Sequence, residues 1–115
     1  MKVTRGDVSN IIGTGLKGYL RCSKSKLIDV FGRKTHGPSP DRKVSERWIL
    51  NIDGTIVHIY DYKSRYTRLP LAFNDFHVGG GKDAMNVLYR YLKEQNVECS
   101  MNKDEYNNDL LNVVE

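Results

Sequence analysis

Residues 44–63, VSERWILNIDGTIVHIYDYK, decide the fold, because two runs of β-branched and aromatic residues flank a single Asp-Gly dipeptide. Asp53 and Gly54 suit the tight two-residue turn of a β-hairpin, whose backbone requires positive φ angles. With that turn, alternate residues of the two strands share one face. The pattern therefore predicts a hairpin with one apolar face, formed by Trp48, Leu50, Val57 and Ile59.

The opposite face of this hairpin is half apolar and half polar. It contains Arg47, Ile49, Ile56, His58, Tyr60 and Tyr62. A face of this composition is neither a full core surface nor a fully solvated one, so we expect another segment to cover part of it.

Further along the chain, the segment FHVGG at 76–80 predicts a short last strand, and KDAMNVLYRYLKEQ at 82–95 predicts a helix. Asp83 suits the N-cap of this helix. Its apolar residues recur at helical spacing and form one stripe: Ala84, Val87, Leu88, Tyr91 and Leu92.

Before the hairpin, residues 16–23 predict a strand and residues 23–32 a short helix that ends at Gly32. We expect residues 1–15 to form an irregular arm with a short helix near 7–12, and residues 33–43 to form a loop. The fold class that follows is α+β: a small antiparallel sheet with a central β-hairpin (about 44–63), packed against a C-terminal helix (about 83–95).

The charge divides the chain into a basic body and an acidic tail. Residues 1–95 carry 17 Lys and Arg against 9 Asp and Glu, and residues 96–115 carry 1 against 5. We therefore predict one basic domain at 1–95 and an acidic tail at 96–115 that contains a short amphipathic helix. A basic body is typical of proteins that bind polyanions, although it also serves solubility alone.

Composition predicts a cytoplasmic protein. No stretch approaches the roughly 18 apolar residues of a membrane span, and no signal peptide is visible at the start. The two cysteines, Cys22 and Cys99, lie far apart in the chain and match no zinc or disulfide pattern. We therefore expect no membrane association and a reducing compartment.

Five short segments occur in a recognisable order: GYL (18–20), LIDVFG (27–32), ERWIL (46–50), DGTIVHIYDYK (53–63) and HVGG (77–80). Together they resemble a family of small uncharacterised proteins of bacteriophages and large DNA viruses, which carry a Trp-His-Ile-Gly-Gly segment near the end. The resemblance covers about residues 16–95. This chain has Phe76 in place of the tryptophan and Val78 in place of the isoleucine. The resemblance implies a viral accessory protein inside an infected host cell, and it implies no chemical activity.

Three glycines, Gly79, Gly80 and Gly81, precede Lys82 at the start of the predicted helix. The free N–H groups of a helix N-terminus attract a phosphate, and Lys82 adds a full positive charge. The segment matches neither the Walker loop nor the dinucleotide fingerprint, because Phe76 occupies the position of the first Walker glycine. The alternative is that the glycines only permit a tight turn.

The hairpin also places Glu46 opposite Asp61, followed on the same face by Lys63. Opposed carboxylates are unfavourable unless a cation offsets them, and Mg²⁺ is often held by one or two carboxylates. These three residues resemble the D…(D/E)xK site of metal-dependent nucleases, in which the lysine acts at the scissile phosphate. The alternative is a surface cluster in which Lys63, Arg42 or Arg47 neutralises the acids.

The segment YDYKSRYTR at 60–68 interleaves tyrosines with basic residues. Nucleobases stack on tyrosines while cations hold phosphates, although tyrosines also favour strands for packing reasons alone. His77, beside the glycines, is a candidate phosphate contact or general acid-base. The predicted ligand-binding residues are Tyr60, Tyr62, Arg65, Arg68, His77, Gly79, Gly80, Gly81 and Lys82.

The leading hypothesis is a non-catalytic module that binds nucleic acid or a nucleotide, with no cofactor and no catalytic residue. The first alternative is a Mg²⁺-dependent nuclease that uses Glu46, Asp61 and Lys63, with the two acids as metal ligands. The second alternative is a protein-interaction factor whose residues 106–114 dock on a host protein or on a second copy, giving a homodimer.

Overall fold

The computed structural model describes residues 1–62, 71, 73–103 and 111–112. Its strands are β1 (Val3–Arg5), β2 (Gly15–Ser23), β3 (Arg47–Ile52), β4 (Thr55–Tyr60), β5 (Phe73–Gly80), β6 (Ser100–Asn102) and β7 (Leu111–Asn112). Its helices are α1 (Lys24–Phe31) and α2 (Ala84–Glu94), and a 3₁₀ helix spans Val8–Ile11. In the described part of the chain, these strands form one antiparallel sheet in the order β1-β3-β4-β5-β2-β6-β7. The predicted α+β class is confirmed.

The β3–β4 hairpin has the predicted register, with Trp48 opposite Ile59 and Ile52 opposite Thr55. Asp53 and Gly54 have φ angles of 50° and 89°, as the tight turn requires. The amide of Gly54 also donates to Asn51 Oδ1 at 2.7 Å, which fixes the turn from one side.

One face of the sheet, the inner face, packs against both helices and forms the core. The strands contribute Leu20, Trp48, Val57, Ile59, Phe76 and Val78, all with 0% exposure. Trp48 meets Phe76 edge-on at 6.0 Å between ring centroids, and its Nε1 donates to Gly32 O at 2.9 Å, which ties the end of α1 to the sheet. Helix α2 buries its predicted stripe here, because its residues Ala84, Val87, Leu88 and Leu92 belong to the same core.

Three strands lie where the sequence indicated no strand. Residues Val3–Arg5 of the predicted irregular arm pair with β3, β6 of the acidic segment pairs with β2, and β7, in the segment expected to be helical, pairs with β6. Val97, Cys99 and Met101 are buried in the core. The acidic segment therefore supplies two strands and three core side chains to the domain.

The two cysteines, distant in sequence, are neighbours in the fold. Arg21 pairs with Ser100, so Cys22 and Cys99 occupy the next opposed positions of β2 and the chain entering β6. Both are buried free thiols. Burial raises the pKa of Cys22 far above its usual value and raises the pKa of Cys99 to about 11.

Candidate ligand-binding face

The outer face of the sheet carries a straight row of polar and aromatic side chains. Tyr60 lies opposite both Arg47 and His77, and Tyr19 lies opposite both His77 and Asn102. An isolated bridge between His36 and Arg47 extends the row by one residue beyond β3. We call this set the outer row: His36, Arg47, Tyr60, His77, Tyr19 and Asn102.

His77 lies at the centre of an aromatic cluster on this face. Its ring is 5.1 Å from that of Tyr19, 5.3 Å from that of Tyr60 and 5.3 Å from that of Tyr62, with Tyr62 stacked on it. The ring of His58 lies 4.5 Å from that of Tyr60. Tyr60 and Tyr62, predicted from one segment, and His77, predicted from another, are thus brought together, because both tyrosine rings contact His77.

The N-terminal arm covers one end of the outer face, as the mixed composition of the hairpin led us to expect. Gly6 donates its amide to Ile49 O at 2.7 Å and lies directly on the Ile49 side chain, which is fully buried. The 3₁₀ helix Val8–Ile11 contacts β4. By contrast, Tyr62 remains 41% exposed, so the aromatic cluster is reachable from solvent at that side.

The rings of His58 and Tyr60 are held neutral. Burial lowers the pKa of His58 to about 4, helped by the nearby Arg47 and His36. Burial also raises the pKa of Tyr60, with smaller effects of Tyr19 and Tyr62. At neutral pH these two rings are therefore uncharged and lie beside the positive charge of Arg47, an arrangement suited to a ligand with a flat apolar part and an anionic part.

The glycine segment meets a packing requirement. Gly80 has a φ of +123°, and a side chain there would collide with Ile56 O. The amide of Gly81 donates to the same oxygen at 2.9 Å, so it is already used. These contacts support the tight-turn interpretation for both residues.

Gly79 differs from its neighbours, because it lies on the outer face opposite His58. A Cβ there would lie 3.1 Å from Gly15 O and 3.8 Å from the Tyr60 ring. Lys82 and Asp83 are exposed. Asp83 occupies the N-cap of α2 but makes no capping hydrogen bond, contrary to the role its residue type suggested.

Glu46 and Asp61 lie at the end of the hairpin as predicted, and the amide of Asp61 bonds Glu46 O at 3.3 Å. Asp61 Oδ1 accepts the amides of Ser45 and Glu46, both at 2.8 Å. Glu46 pairs with Lys24 at 2.7 Å. Their other oxygens, Asp61 Oδ2 and Glu46 Oε2, are buried without a hydrogen-bond partner in the structure. The Asp61 carboxylate therefore closes the open end of the hairpin, and the Glu46 carboxylate ties it to the start of α1.

Among residues 1–62, 71, 73–103 and 111–112, no group of three or more His, Cys, Asp and Glu side chains is placed to hold a metal ion. The predicted basic residues Lys63, Arg65 and Arg68, and most of the tail segment 106–114, lie outside the described residues.

No helix in the described ranges is both long and apolar enough for a bilayer crossing.

Sequence reasoning missed three residues at this face: Arg5, Tyr19 and His36. Tyr19 had a usable signal, because strand alternation around the buried Leu20 and Cys22 places it on the outer face. His36 and Arg5 had none, since their positions depend on pairing between the 33–43 loop, the N-terminal arm and β3.

Comparison of the chain with protein-family models, with curated proteins and with solved structures finds no match.

Proposed function

We propose that this protein is a binding module for a phosphate-bearing ligand, either a nucleic acid strand or a nucleotide, which it holds on the outer face without catalysing a reaction. The observation that carries the proposal is the aromatic cluster around His77 on the outer face, in which Tyr60 lies opposite Arg47. Following the viral resemblance, we place this activity in the cytoplasm of an infected cell.

Binding on this face would combine stacking with charge. A base that stacks on an aromatic ring gains about 1–3 kcal/mol, and Tyr62 presents the most exposed ring of the cluster. Arg47 supplies positive charge within the outer row, and the proposal adds Lys82, Arg65 and Arg68 as further phosphate contacts. Gly79 leaves room above the Tyr60 ring because it has no side chain.

The test is fluorescence anisotropy with labelled single- and double-stranded DNA and RNA and with labelled nucleotides, at low and high salt. Tyr62→Leu should weaken binding about tenfold, as the loss of one stacking contact predicts. Tyr89→Leu on α2, on the opposite side of the sheet, is the matched control and should leave binding unchanged. Absence of binding to every probe at low salt would overturn the proposal.

A Mg²⁺-dependent nuclease is the second candidate, and the buried oxygens of Glu46 and Asp61 that lack partners are the observation in its favour. Asp61→Asn is a better test than alanine, because asparagine keeps one oxygen for the amides of Ser45 and Glu46. Cleavage that needs Mg²⁺, stops in Asp61→Asn and leaves the fold intact would support the nuclease. Strands that stay whole on a denaturing gel with Mg²⁺ would exclude it.

A further inference from the structure

We infer that the ligand's phosphate group has a dedicated site at the edge of the sheet beside β3, where the guanidinium of Arg5 from β1 approaches His36 and Arg47 of the outer row. The inference deepens the proposed function and rests on it for the stacked part of the ligand. It assigns the phosphate to residues that lie across the sheet from the glycine segment.

Two guanidinium groups converge on the tripeptide 35–37. Arg47 Nε donates to Gly37 O at 3.0 Å, and Arg5 Nη2 donates to Thr35 O at 2.5 Å. His36 lies between these anchors, and the β-bridge to Arg47 places it next in the outer row. Each guanidinium uses one of its several N–H groups in this way and keeps others that point away from the backbone contact.

The positive charge of this cluster is not neutralised by a salt bridge. Within the described residues, neither Arg5 nor Arg47 pairs with a carboxylate, whereas Arg21 at the other end of the face pairs with Asp75 at 2.8 Å. Asp7 is the nearby acid, and its Oδ1 already accepts the amide of Val8 at 2.7 Å. An anion would therefore find cationic donors here that have no anionic partner.

The electrostatics of His36 agree with the convergence of the two arginines on this segment. Burial, Arg5 and Arg47 lower its pKa, while Asp7 opposes them. Its Nδ1 is hydrogen-bonded to Thr35 Oγ1 at 2.7 Å, which fixes the ring and leaves the Nε2 edge as the one directed away from that bond. The two arginines thus act on the same ring from separate chain segments.

The spacing fits one nucleotide. Arg47 lies one strand from Tyr60 and two strands from His77. Adjacent strands are about 4.8 Å apart, so the backbone of Arg47 is roughly 10 Å across the sheet from that of His77. A base stacked on Tyr62 would therefore place its attached phosphate toward Arg47, where the planar fork of a guanidinium matches two phosphate oxygens.

The test uses the full chain and measures two quantities. The first is the change of the backbone amide NMR signals of residues 35–37 during titration with inorganic phosphate. The second is the affinity for ribonucleoside 5′-monophosphates against that for the corresponding nucleosides. Arg47→Gln should abolish the phosphate-dependent shifts and weaken nucleotide binding about tenfold or more, with nucleoside binding unchanged. Arg5→Gln should act in the same direction but less strongly.

Arg90→Gln removes the same charge from an exposed position on α2 and is the matched control. Arg47→Lys keeps the positive charge but lacks the planar guanidinium, so it should retain part of the affinity for nucleotides. A partial effect of this kind distinguishes loss of the phosphate site from unfolding of the protein. Equal effects of Arg47→Gln and Arg90→Gln on nucleotide binding would overturn the inference, even with base stacking intact. Phosphate shifts that require Arg47, in a protein that binds neither nucleosides nor nucleic acid, would support the site and overturn the proposed function instead.

Discussion

The two faces of the sheet are made by the same strands and differ in almost every physical property. In β4, Ile59 on the inner face is fully buried, whereas its neighbour Tyr60 on the outer face is half-buried and contacts two histidine rings. In β5, Phe76 packs in the core and His77 is the centre of the aromatic cluster. Adjacent residues therefore face the core and the proposed binding surface separately, and we expect single substitutions to alter stability or ligand binding one without the other.

The largest expected effect is on the inner face. Trp48→Ala should lower the free energy of unfolding by about 3–5 kcal/mol, because it leaves a cavity against Phe76 and removes the bond to Gly32. Tyr60→Ala, on the outer face of the paired strand, should cost about 1 kcal/mol. Urea unfolding followed by far-UV circular dichroism measures both. Equal losses would mean that the outer face is as tightly packed as the core.

His58 is an outer-face residue that departs from this division, since it is buried and its pKa is lowered to about 4 from 6.5. Between these pH values the unfolded chain binds the proton more readily, so this contribution to stability is complete above pH 6.5 and is lost as the pH falls toward 4. The loss is on the order of 3 kcal/mol. His58→Phe should remove this acid sensitivity in unfolding titrations. A variant as acid-sensitive as the parent would assign the effect to other groups.

Gly80 is the last residue of β5, where the chain leaves the sheet and turns toward α2. Gly80→Ala should destabilise the protein by about 1–3 kcal/mol, because its φ of +123° is strained for any side chain and Ile56 O occupies the space. Gly15, its partner in β2, has only Lys17 Nζ nearby at 3.9 Å, so Gly15→Ala is the control and should be nearly neutral. Thermal unfolding compares the pair. Similar thermal unfolding midpoints for Gly80→Ala and Gly15→Ala would contradict the conclusion that the glycine segment is required for packing.

The smallest effect concerns the Arg21–Asp75 ion pair on the outer face. Both side chains are more than half exposed, at 51% and 56%, so their coupling should stay below about 1 kcal/mol. A double-mutant cycle of Arg21→Gln and Asp75→Asn measures it, at low and high salt. Coupling well above that value, insensitive to salt, would show that this end of the outer face is less solvated than its exposure indicates.

The parts of the fold that the sequence predicted are those with local signals. The hairpin register follows from Asp53 and Gly54 and from alternation with period two, and α2 follows from its apolar stripe. Strands β1 and β6 have three residues each and no periodicity, and their pairing depends on distant partners. The same reason explains which residues of the candidate site could be predicted. Tyr60 and Tyr62 lie in one segment with a recognisable pattern, whereas the contacts of His36, Arg5 and Tyr19 form only when distant segments of the chain pair.

Cys22 and Cys99, which lie opposite each other, provide a way to measure how stably β6 pairs with β2. A thiol reacts with iodoacetamide as the thiolate, and burial raises the pKa of both Cys22 and Cys99, so neither should be alkylated while β6 lies on β2. Modification therefore requires that β6 first detaches from β2. The rate at which iodoacetamide modifies the native protein therefore measures how often this local opening occurs. A ligand that stabilises the sheet should lower that rate without contacting either sulfur.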